Sequence, residues 1–316
     1  MKGDQVRYVL LVLIALAIAA VIVRLVSAGG DDKTLSGLLP IHPDIIDSVV
    51  ISTSSTEARL VRRGEEWTVE AHPAFTPKLD QMWFVVSEFD GAQLVANNPA
   101  SHVRMGVDPA QGTEVIFFRG SAVQERFTVG RWTPDVRQCF LRRASEDRVY
   151  AVNCQYADLF DPEPDGWRDP IVVSVPLEAL AQVTIRFPRR DNEFFEIDLT
   201  THPPVVLLPD GAVQANLFTV EALARSIQVL VASGFASPEE AVDLDFDVPD
   251  ATVLVKPREG LKVDTQRLQL IRRIDGDYYA KNTTRPDVFI VSGQIIDSFV
   301  LPVEDYLIPA GALPDP

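Results

Sequence analysis

Residues 149–152 (VYAV) and 158–160 (DLF) recur in altered form as residues 288–291 (VFIV) and 297–299 (DSF). Both segments recur at the same offset along the chain, and a repeated offset is typical of a duplicated structural unit. We therefore interpret the chain as two similar lobes, and we extend the comparison outward from this stretch.

The repeat continues towards the N-terminal end of each lobe. Three further pairs of segments match: residues 113–117 with 251–255, residues 79–94 with 220–235, and residues 46–51 with 180–185. Because the elements follow one another in the same order, we predict a first lobe at residues 44–170. The second lobe, with a C-terminal tail, is predicted at residues 171–316.

Each lobe begins with strands and continues into one main helix. Alternation of apolar and polar residues predicts strands in the first lobe at residues 47–53, 58–61 and 67–69. The helix that follows has an apolar stripe at three- and four-residue spacing, and glycines supply its stop. The stripe residues and stops are Leu79, Met82, Trp83, Val86, Phe89 and Gly91 in the first lobe, and Val220, Leu223, Ile227, Leu230, Val231 and Gly234 in the second.

Strands return after the helix, as the first lobe shows at residues 115–118, 125–129, 139–143 and 149–153. Runs of strands around one main helix indicate α+β rather than a parallel, doubly wound sheet. The predicted fold class is therefore α+β: an N-terminal transmembrane helix followed by two similar lobes, each of antiparallel strands packed with one main helix.

The N-terminal segment carries an unbroken apolar run. Residues 8–26 are long enough for a transmembrane helix, and residues 1–30 are interpreted as a cytoplasmic tip and anchor, followed by a linker at 31–43. Lys2 and Arg7 precede the run, so the positive-inside rule predicts a single-pass signal-anchor in the bacterial inner membrane, with the body in the periplasm or outside. The alternative is a cleaved signal peptide.

The composition excludes one class of partner. The 316 residues carry a net charge of −16, and such an acidic chain lacks the clustered Lys and Arg that nucleic acid binding requires. We therefore expect no nucleic acid partner.

By its motifs, the first lobe resembles an uncharacterised bacterial domain-of-unknown-function family of envelope proteins with a single N-terminal anchor. The motifs that carry the resemblance are Trp67-Thr68-Val69, the helix after Lys78-Leu79-Asp80, the segment Met105–Pro109, Val129-Gly130, Val149–Val152 and Trp167–Pro170. The second lobe lacks the Trp-Arg-Asp ending and the Val-Gly step.

Members of that family are commonly associated with ABC-type transport systems resembling gliding-motility auxiliary components. The resemblance therefore implies an accessory role beside a transporter, with a permease or related subunit as partner. It implies no catalytic residues.

The chain lacks the short motifs of common enzyme sites. It has no P-loop, no dinucleotide-binding glycine pattern, no zinc-protease helix and no nucleophile elbow. We predict no catalytic, cofactor-binding or metal-binding residues and no cofactor. The acidic stretch 243–250 alternates with apolar residues, which is typical of a strand with one wet face. A calcium loop is the alternative interpretation.

One polar cluster and one pair of residues are candidates for a ligand or interface role. Trp167, Arg168 and Asp169 form the first candidate, because Arg168 could present two donors to a carboxylate or phosphate. We favour the structural interpretation, in which Arg168 locks the link between the lobes, stacked on Trp167 and paired with Asp169 or another acid. Arg131 and Trp132 are the second candidate.

Cys139 and Cys154 flank a predicted hairpin. A two-residue turn at Glu146-Asp147 would place the cysteines directly opposite each other, whereas a four-residue loop would place them on a diagonal that is less easily bridged. A disulfide and a pair of buried thiols both remain open.

Three functions follow as hypotheses. The leading one is a membrane-anchored, non-enzymatic accessory or scaffold protein of an envelope ABC-type transport complex. A periplasmic ligand- or glycan-binding module using Arg131, Trp132 and Arg168 is the alternative. A hydrolase of envelope polymers is the second alternative, and it would require paired carboxylates in a cleft.

Overall fold

The structure, a computed structural model, describes residues 41–87, 92–154, 156–191 and 193–308. Within these ranges, antiparallel strands form two nine-stranded sheets and one two-stranded sheet. The described chain is therefore mostly antiparallel β-sheet.

The predicted α+β class with a transmembrane helix is therefore wrong. Each main helix has only 12 residues beside a sheet of nine strands. The apolar stripe of the second lobe predicted too long a helix, because Leu230 and Val231 belong to a strand. Gly234 also lies in a strand rather than at a helix stop. Phe89 and Gly91 lie outside the described residues.

The predicted membrane anchor is also corrected. None of the helices in residues 41–308, with the gaps given above, is long and apolar enough to cross a bilayer. The single-pass inner-membrane location and the membrane contact predicted for residues 8–26 therefore lack support. Residues 8–26 themselves lie outside the described part of the chain.

The chain divides into two compact units between Trp167 and Arg168. The predicted lobe boundary falls after Pro170. Each unit has its own cluster of buried apolar side chains, and each is described separately below.

The first unit contains nine strands and two α-helices among its described residues. The strands are β1 (Ser48–Ser52), β2 (Glu57–Arg63), β3 (Glu66–Val69), β4 (His72–Pro73), β5 (Gln93–Ala96), β6 (Thr113–Arg119), β7 (Ala122–Thr133), β8 (Gln138–Arg143) and β9 (Val149–Asn153), and the helices are α1 (Thr76–Ser87) and α2 (His102–Met105). The strand order across the sheet is β4-β3-β2-β1-β6-β7-β8-β9-β5.

Helix α1 packs on one face of this sheet. Leu79, Met82 and Val86 are buried in the core of the unit. The ring of Trp83 lies 5.5 Å from the ring of Phe117 on β6, measured between centroids. The three- and four-residue spacing of these apolar residues therefore determines which face of the helix meets the sheet.

The second unit contains eleven strands and three α-helices among its described residues. The strands are β10 (Ile171–Ser174), β11 (Leu180–Phe187), β12 (Glu193–Asp198), β13 (Val205–Leu208), β14 (Gly211–Gln214), β15 (Val229–Val231), β16 (Gly234–Phe235), β17 (Ala251–Pro257), β18 (Gln266–Arg272), β19 (Tyr278–Asn282) and β20 (Val288–Val291), and the helices are α3 (Leu217–Gln228), α4 (Pro238–Val242) and α5 (Gly293–Ile296). Strands β10 and β15 form the small sheet, and the large sheet has the order β14-β13-β12-β11-β17-β18-β19-β20-β16.

The two large sheets have the same strand order when the strands are matched in sequence. The repeated stretch at 149–152 and 288–291 lies on β9 and β20. Strand β9 is next to the edge strand β5, and β20 is next to the corresponding edge strand β16. In both units the main helix follows the fourth strand of the large sheet, which is β4 in the first unit and β14 in the second. The repeat that the sequence indicates is therefore a repeat of topology.

Candidate functional site

Trp167 ends the first unit as a fully buried side chain. Its indole Nε1 donates a hydrogen bond to the backbone oxygen of Asp161 at 2.6 Å. Its own backbone oxygen accepts a hydrogen bond from the amide of Phe75 at 2.7 Å. Trp167 is therefore part of the structural framework of the first unit.

Lys78 on α1 completes this cluster. Its ammonium Nζ donates to the backbone oxygen of Gly166 at 2.9 Å and lies 4.7 Å from the centroid of the Trp167 ring. Asp161 lies 3.7 Å from the same nitrogen. Burial lowers the pKa of Lys78, and the negative charges of Asp161 and Asp158 oppose that shift.

Arg168 and Asp169 begin the second unit, and both bind the turn that precedes β20. Arg168 forms an ion pair with Asp287, and its guanidinium lies 3.9 Å from the centroid of the Phe235 ring. Asp169 accepts from Arg285 at 2.8 Å. The donors of Arg168 thus have an acidic partner inside the second unit.

Trp132 lies next to the cysteine pair, whereas Arg131 is exposed. The ladder pairs Cys139 with Val152, so Cys154 is diagonal to Cys139. The structure nevertheless joins the two cysteines by a disulfide, with their Cα atoms 5.5 Å apart. The indole Nε1 of Trp132 donates to the backbone oxygen of Cys154 at 2.8 Å.

The Val-Gly step on β7 allows the segment after α2 to approach the sheet. A Cβ atom at Gly130 would lie 2.3 Å from the backbone oxygen of Met105 and 2.7 Å from Cγ1 of Val107. Met105 and Val107 form a small apolar cluster with Val149. This contact brings the Met-Gly-Val-Asp-Pro and Val-Gly motifs of the chain together.

The five candidates therefore do not converge on one site. Trp167 packs with Lys78, Trp132 packs beside the disulfide, and Arg168 and Asp169 bind one turn of the second unit. Two other features of the surface have the shape of binding sites.

The first feature is an apolar groove on the first unit, which we call the helix groove. It has a volume of about 310 Å³ and lies between α1 and the segment after β9; its lining is Asp80, Gln81, Phe84, Val85, Tyr156 and Leu159. Phe84 is 58% exposed and Tyr156 is 44% exposed. Two aromatic side chains thus face solvent beside a concave apolar surface.

The second feature is a cleft on the second unit, which we call the arginine cleft. It has a volume of about 320 Å³ and lies over β11, β17 and β18; its strand residues are Thr184, Arg186, Thr252, Leu254, Arg267 and Gln269. Asp247 and Pro249 form a wall at one side, and Pro188 also lines the cleft.

The wall of the arginine cleft corrects the interpretation of the acidic stretch. Residues 243–250 form turns and irregular backbone rather than a strand. No group of three or more His, Cys, Asp or Glu side chains in the described ranges is arranged to hold a metal ion, so the calcium alternative has no support here. This segment lies against the sheet, where the side-chain amide of Gln269 donates to the backbone oxygen of Phe246.

Neither the helix groove nor the arginine cleft was predicted from the sequence, although each is marked by a pattern of residues. Phe84 lies off the apolar stripe of α1, and an aromatic residue on the outer face of an amphipathic helix is such a signal. Arg186 and Arg267 occupy outward positions of strands, where charged residues are common. Only the sheet order shows that they line one cleft.

A family model described as a domain of unknown function (DUF4340) matches residues 73–249, which is more than half of the chain. The chain belongs to this family. No curated protein and no solved structure matches the chain. The DUF4340 match includes every residue of the helix groove and the wall residues Asp247 and Pro249 of the arginine cleft.

Proposed function

We propose that this DUF4340 protein is a non-enzymatic accessory or scaffold subunit of an ABC-type transport complex, of the kind associated with gliding-motility systems. The partner is a permease or related subunit, which docks an apolar segment into the helix groove. The observation that carries the proposal is the exposure of Phe84 and Tyr156 beside that groove.

Exposed aromatic side chains in a concave surface are typical of protein interfaces. Large apolar groups dominate interface energies when a partner removes them from water, and Tyr is enriched among the residues that contribute most. The aliphatic side chains of Val85 and Leu159 line the helix groove together with the two aromatic side chains.

The charge at the rim of the helix groove indicates which kind of partner segment would bind there. Asp80 lines the groove, and the side chain of Asp158, which lies 3.9 Å from the ammonium of Lys78, is 72% exposed. Acidic groups around an apolar centre favour a segment with aliphatic or aromatic anchors flanked by Lys or Arg.

The polar residues that first suggested a ligand site support a non-enzymatic role. Arg168 and Asp169 both take part in ion pairs within the second unit. Their charged groups thus form contacts that stabilise the fold.

Co-purification from mildly solubilised membranes tests the proposal. The wild-type chain is expected to retain ABC permease or ATPase chains, whereas Phe84→Glu is expected to retain at least about tenfold less, because one lost anchor of 1.4 kcal/mol or more gives that factor. Phe84 is more than half exposed, so this substitution leaves the core intact.

Ile274→Glu is the matched control. Ile274 is fully exposed in the turn between β18 and β19, so its replacement makes the same kind of apolar-to-acidic change away from the groove. Recovery of the wild-type chain always without transporter subunits would contradict the proposal, as would equal recovery with Phe84→Glu.

A further inference from the structure

We propose that the arginine cleft of the second unit binds a small ligand through a carboxylate or phosphate group. The inference goes beyond the accessory role, because it concerns a different surface in the other unit. It rests on a comparison of the two equivalent sheets.

The strand residues of the arginine cleft form two rows across the sheet. Thr184 pairs with Leu254, which pairs with Arg267. In the next row, Arg186 pairs with Thr252, and Thr252 pairs with Gln269. Cross-strand neighbours of this kind share one face, so the two arginines lie at diagonal corners of a patch with Leu254 and Thr252 between them.

The first unit has the same two rows. Val50 pairs with Ile116, which pairs with Arg126, and the next row contains Ser52, Glu114 and Thr128. The sequence match of residues 46–51 with 180–185 and the ladder registers give the same equivalences. Arg126 therefore corresponds to Arg267.

The acid that faces the arginine in the first unit is absent from the second. Nη1 of Arg126 lies 3.7 Å from Oε1 of Glu114. Thr252 occupies the position of Glu114, and Arg186 occupies the position of Ser52. Both differences make the arginine cleft more positive than the equivalent rows of the first unit.

The cations of the arginine cleft are available to a ligand. Among the described residues, the guanidinium of Arg267 has no hydrogen-bond or ion-pair partner. Arg186 stacks its guanidinium 5.1 Å from the centroid of the Phe194 ring, which restrains the side chain without occupying its donors. Guanidinium groups match carboxylate and phosphate oxygens in geometry as well as in charge.

The wall of the cleft is held in place before any ligand binds. Gln269 binds the backbone oxygen of Phe246, and Nε of Arg189 donates to the backbone oxygen of Val248 at 3.1 Å. Arg189 also pairs with Asp250 at 2.9 Å. A preformed cleft reduces the ordering that binding would otherwise require.

Asp247 sets the kind of ligand. Asp247 lines the cleft, and its single negative charge offsets one of the two positive charges of Arg186 and Arg267. The cleft therefore suits a small molecule with one anionic group and a neutral or cationic remainder, and Leu254 on the floor offers a contact for its carbon chain.

Titration of the purified full chain with acetate and with inorganic phosphate, at fixed ionic strength, tests the inference. The readout is the ¹⁵N resonance of each arginine Nε. We expect saturable shifts at Arg186 and Arg267, with a dissociation constant on the order of 1 mM. Saturation with only one of the two anions identifies the class, whereas saturation with neither overturns the inference.

Three variants make the test specific. Arg267→Gln removes a donor, and Thr252→Glu restores the acid of the first unit; each is expected to weaken binding by at least about tenfold. Arg126→Gln, at the equivalent position of the first unit, should leave binding unchanged. Equal weakening by Arg126→Gln, or full binding by Thr252→Glu with an unchanged unfolding midpoint, would also overturn the inference.

Discussion

At the scale of single residues, the ion pair of Arg168 and Asp287 links the start of the second unit to the turn before β20. The side chain of Arg168 is 10% exposed and that of Asp287 is 1% exposed. Removal of one member of a buried pair leaves an uncompensated charge, which is costlier than the net contribution of the pair itself.

We predict that Arg168→Ala lowers the free energy of unfolding of the second unit by about 3 kcal/mol. Addition of Asp287→Asn to the same chain should recover part of that loss, because the buried negative charge is removed. Urea denaturation of the three proteins measures both effects. A loss below about 1 kcal/mol for Arg168→Ala would contradict the prediction, because ordinary surface ion pairs contribute no more than that.

Tyr278 gives the second unit a pH-dependent contribution. Burial, followed by the hydrogen bond that its hydroxyl donates to Asp297 at 2.6 Å, raises the pKa of Tyr278 to about 12. Since the folded chain holds this proton more tightly than the unfolded chain, the contribution is complete below pH 10 and is lost as the pH rises towards 12.

We therefore expect the unfolding free energy of the wild-type chain to fall between about pH 10 and pH 12 relative to Tyr278→Phe. Denaturation at a series of pH values measures the difference between the two proteins. The same slope in both proteins would show that Tyr278 does not contribute.

At the scale of elements, Gly130 controls how closely α2 and its following segment approach β7. We predict that Gly130→Ala lowers the free energy of unfolding by about 1–3 kcal/mol, because the added methyl group meets the backbone of Met105. Gly234→Ala is the control, since open space surrounds its Cβ position on strand β16. Thermal or urea unfolding that finds equal losses for the two variants would contradict this account.

Some elements could be predicted from sequence because their patterns are local. The strand at 149–153 was predicted with the bounds that the structure has, since its flanking turns contain polar residues and its interior is apolar. Helix α1 (Thr76–Ser87) was predicted from the spacing of Leu79, Met82 and Val86, which runs along most of its length. The sheet order, by contrast, depends on contacts between distant residues.

The wall of the arginine cleft shows why other elements could not be predicted. Asp243 to Asp250 alternate acids with apolar residues, and a strand with one wet face has the same pattern. The deciding interactions are hydrogen bonds from Gln269 and Arg189, which lie far away in the sequence. The diagonal disulfide is a similar case, because the loop between β8 and β9 sets its register.

At the scale of the whole molecule, the chain consists of two units with the same sheet order and separate apolar cores. A unit with its own core can fold independently. We predict that residues 41–167 and residues 168–308, expressed separately, each give the circular dichroism spectrum of a β-protein and a cooperative unfolding transition. A fragment that remains unfolded would contradict this prediction.

The duplication also explains how one chain can have two kinds of surface. The helix groove belongs to the first unit. The arginine cleft belongs to the second unit, where Thr252 stands at the position of Glu114 and Arg186 stands at the position of Ser52. Because the frameworks share one topology, these differences change the surfaces without changing the sheet order.

The accessory role is the central claim, and a photo-crosslinking amino acid at position 84 tests it most directly. Placed in cells at Phe84, it should form an adduct with a permease or ATPase chain of an ABC transporter, and the same group at Ile274 should not. Absence of such an adduct at position 84, or the same adduct at both positions, would contradict the account.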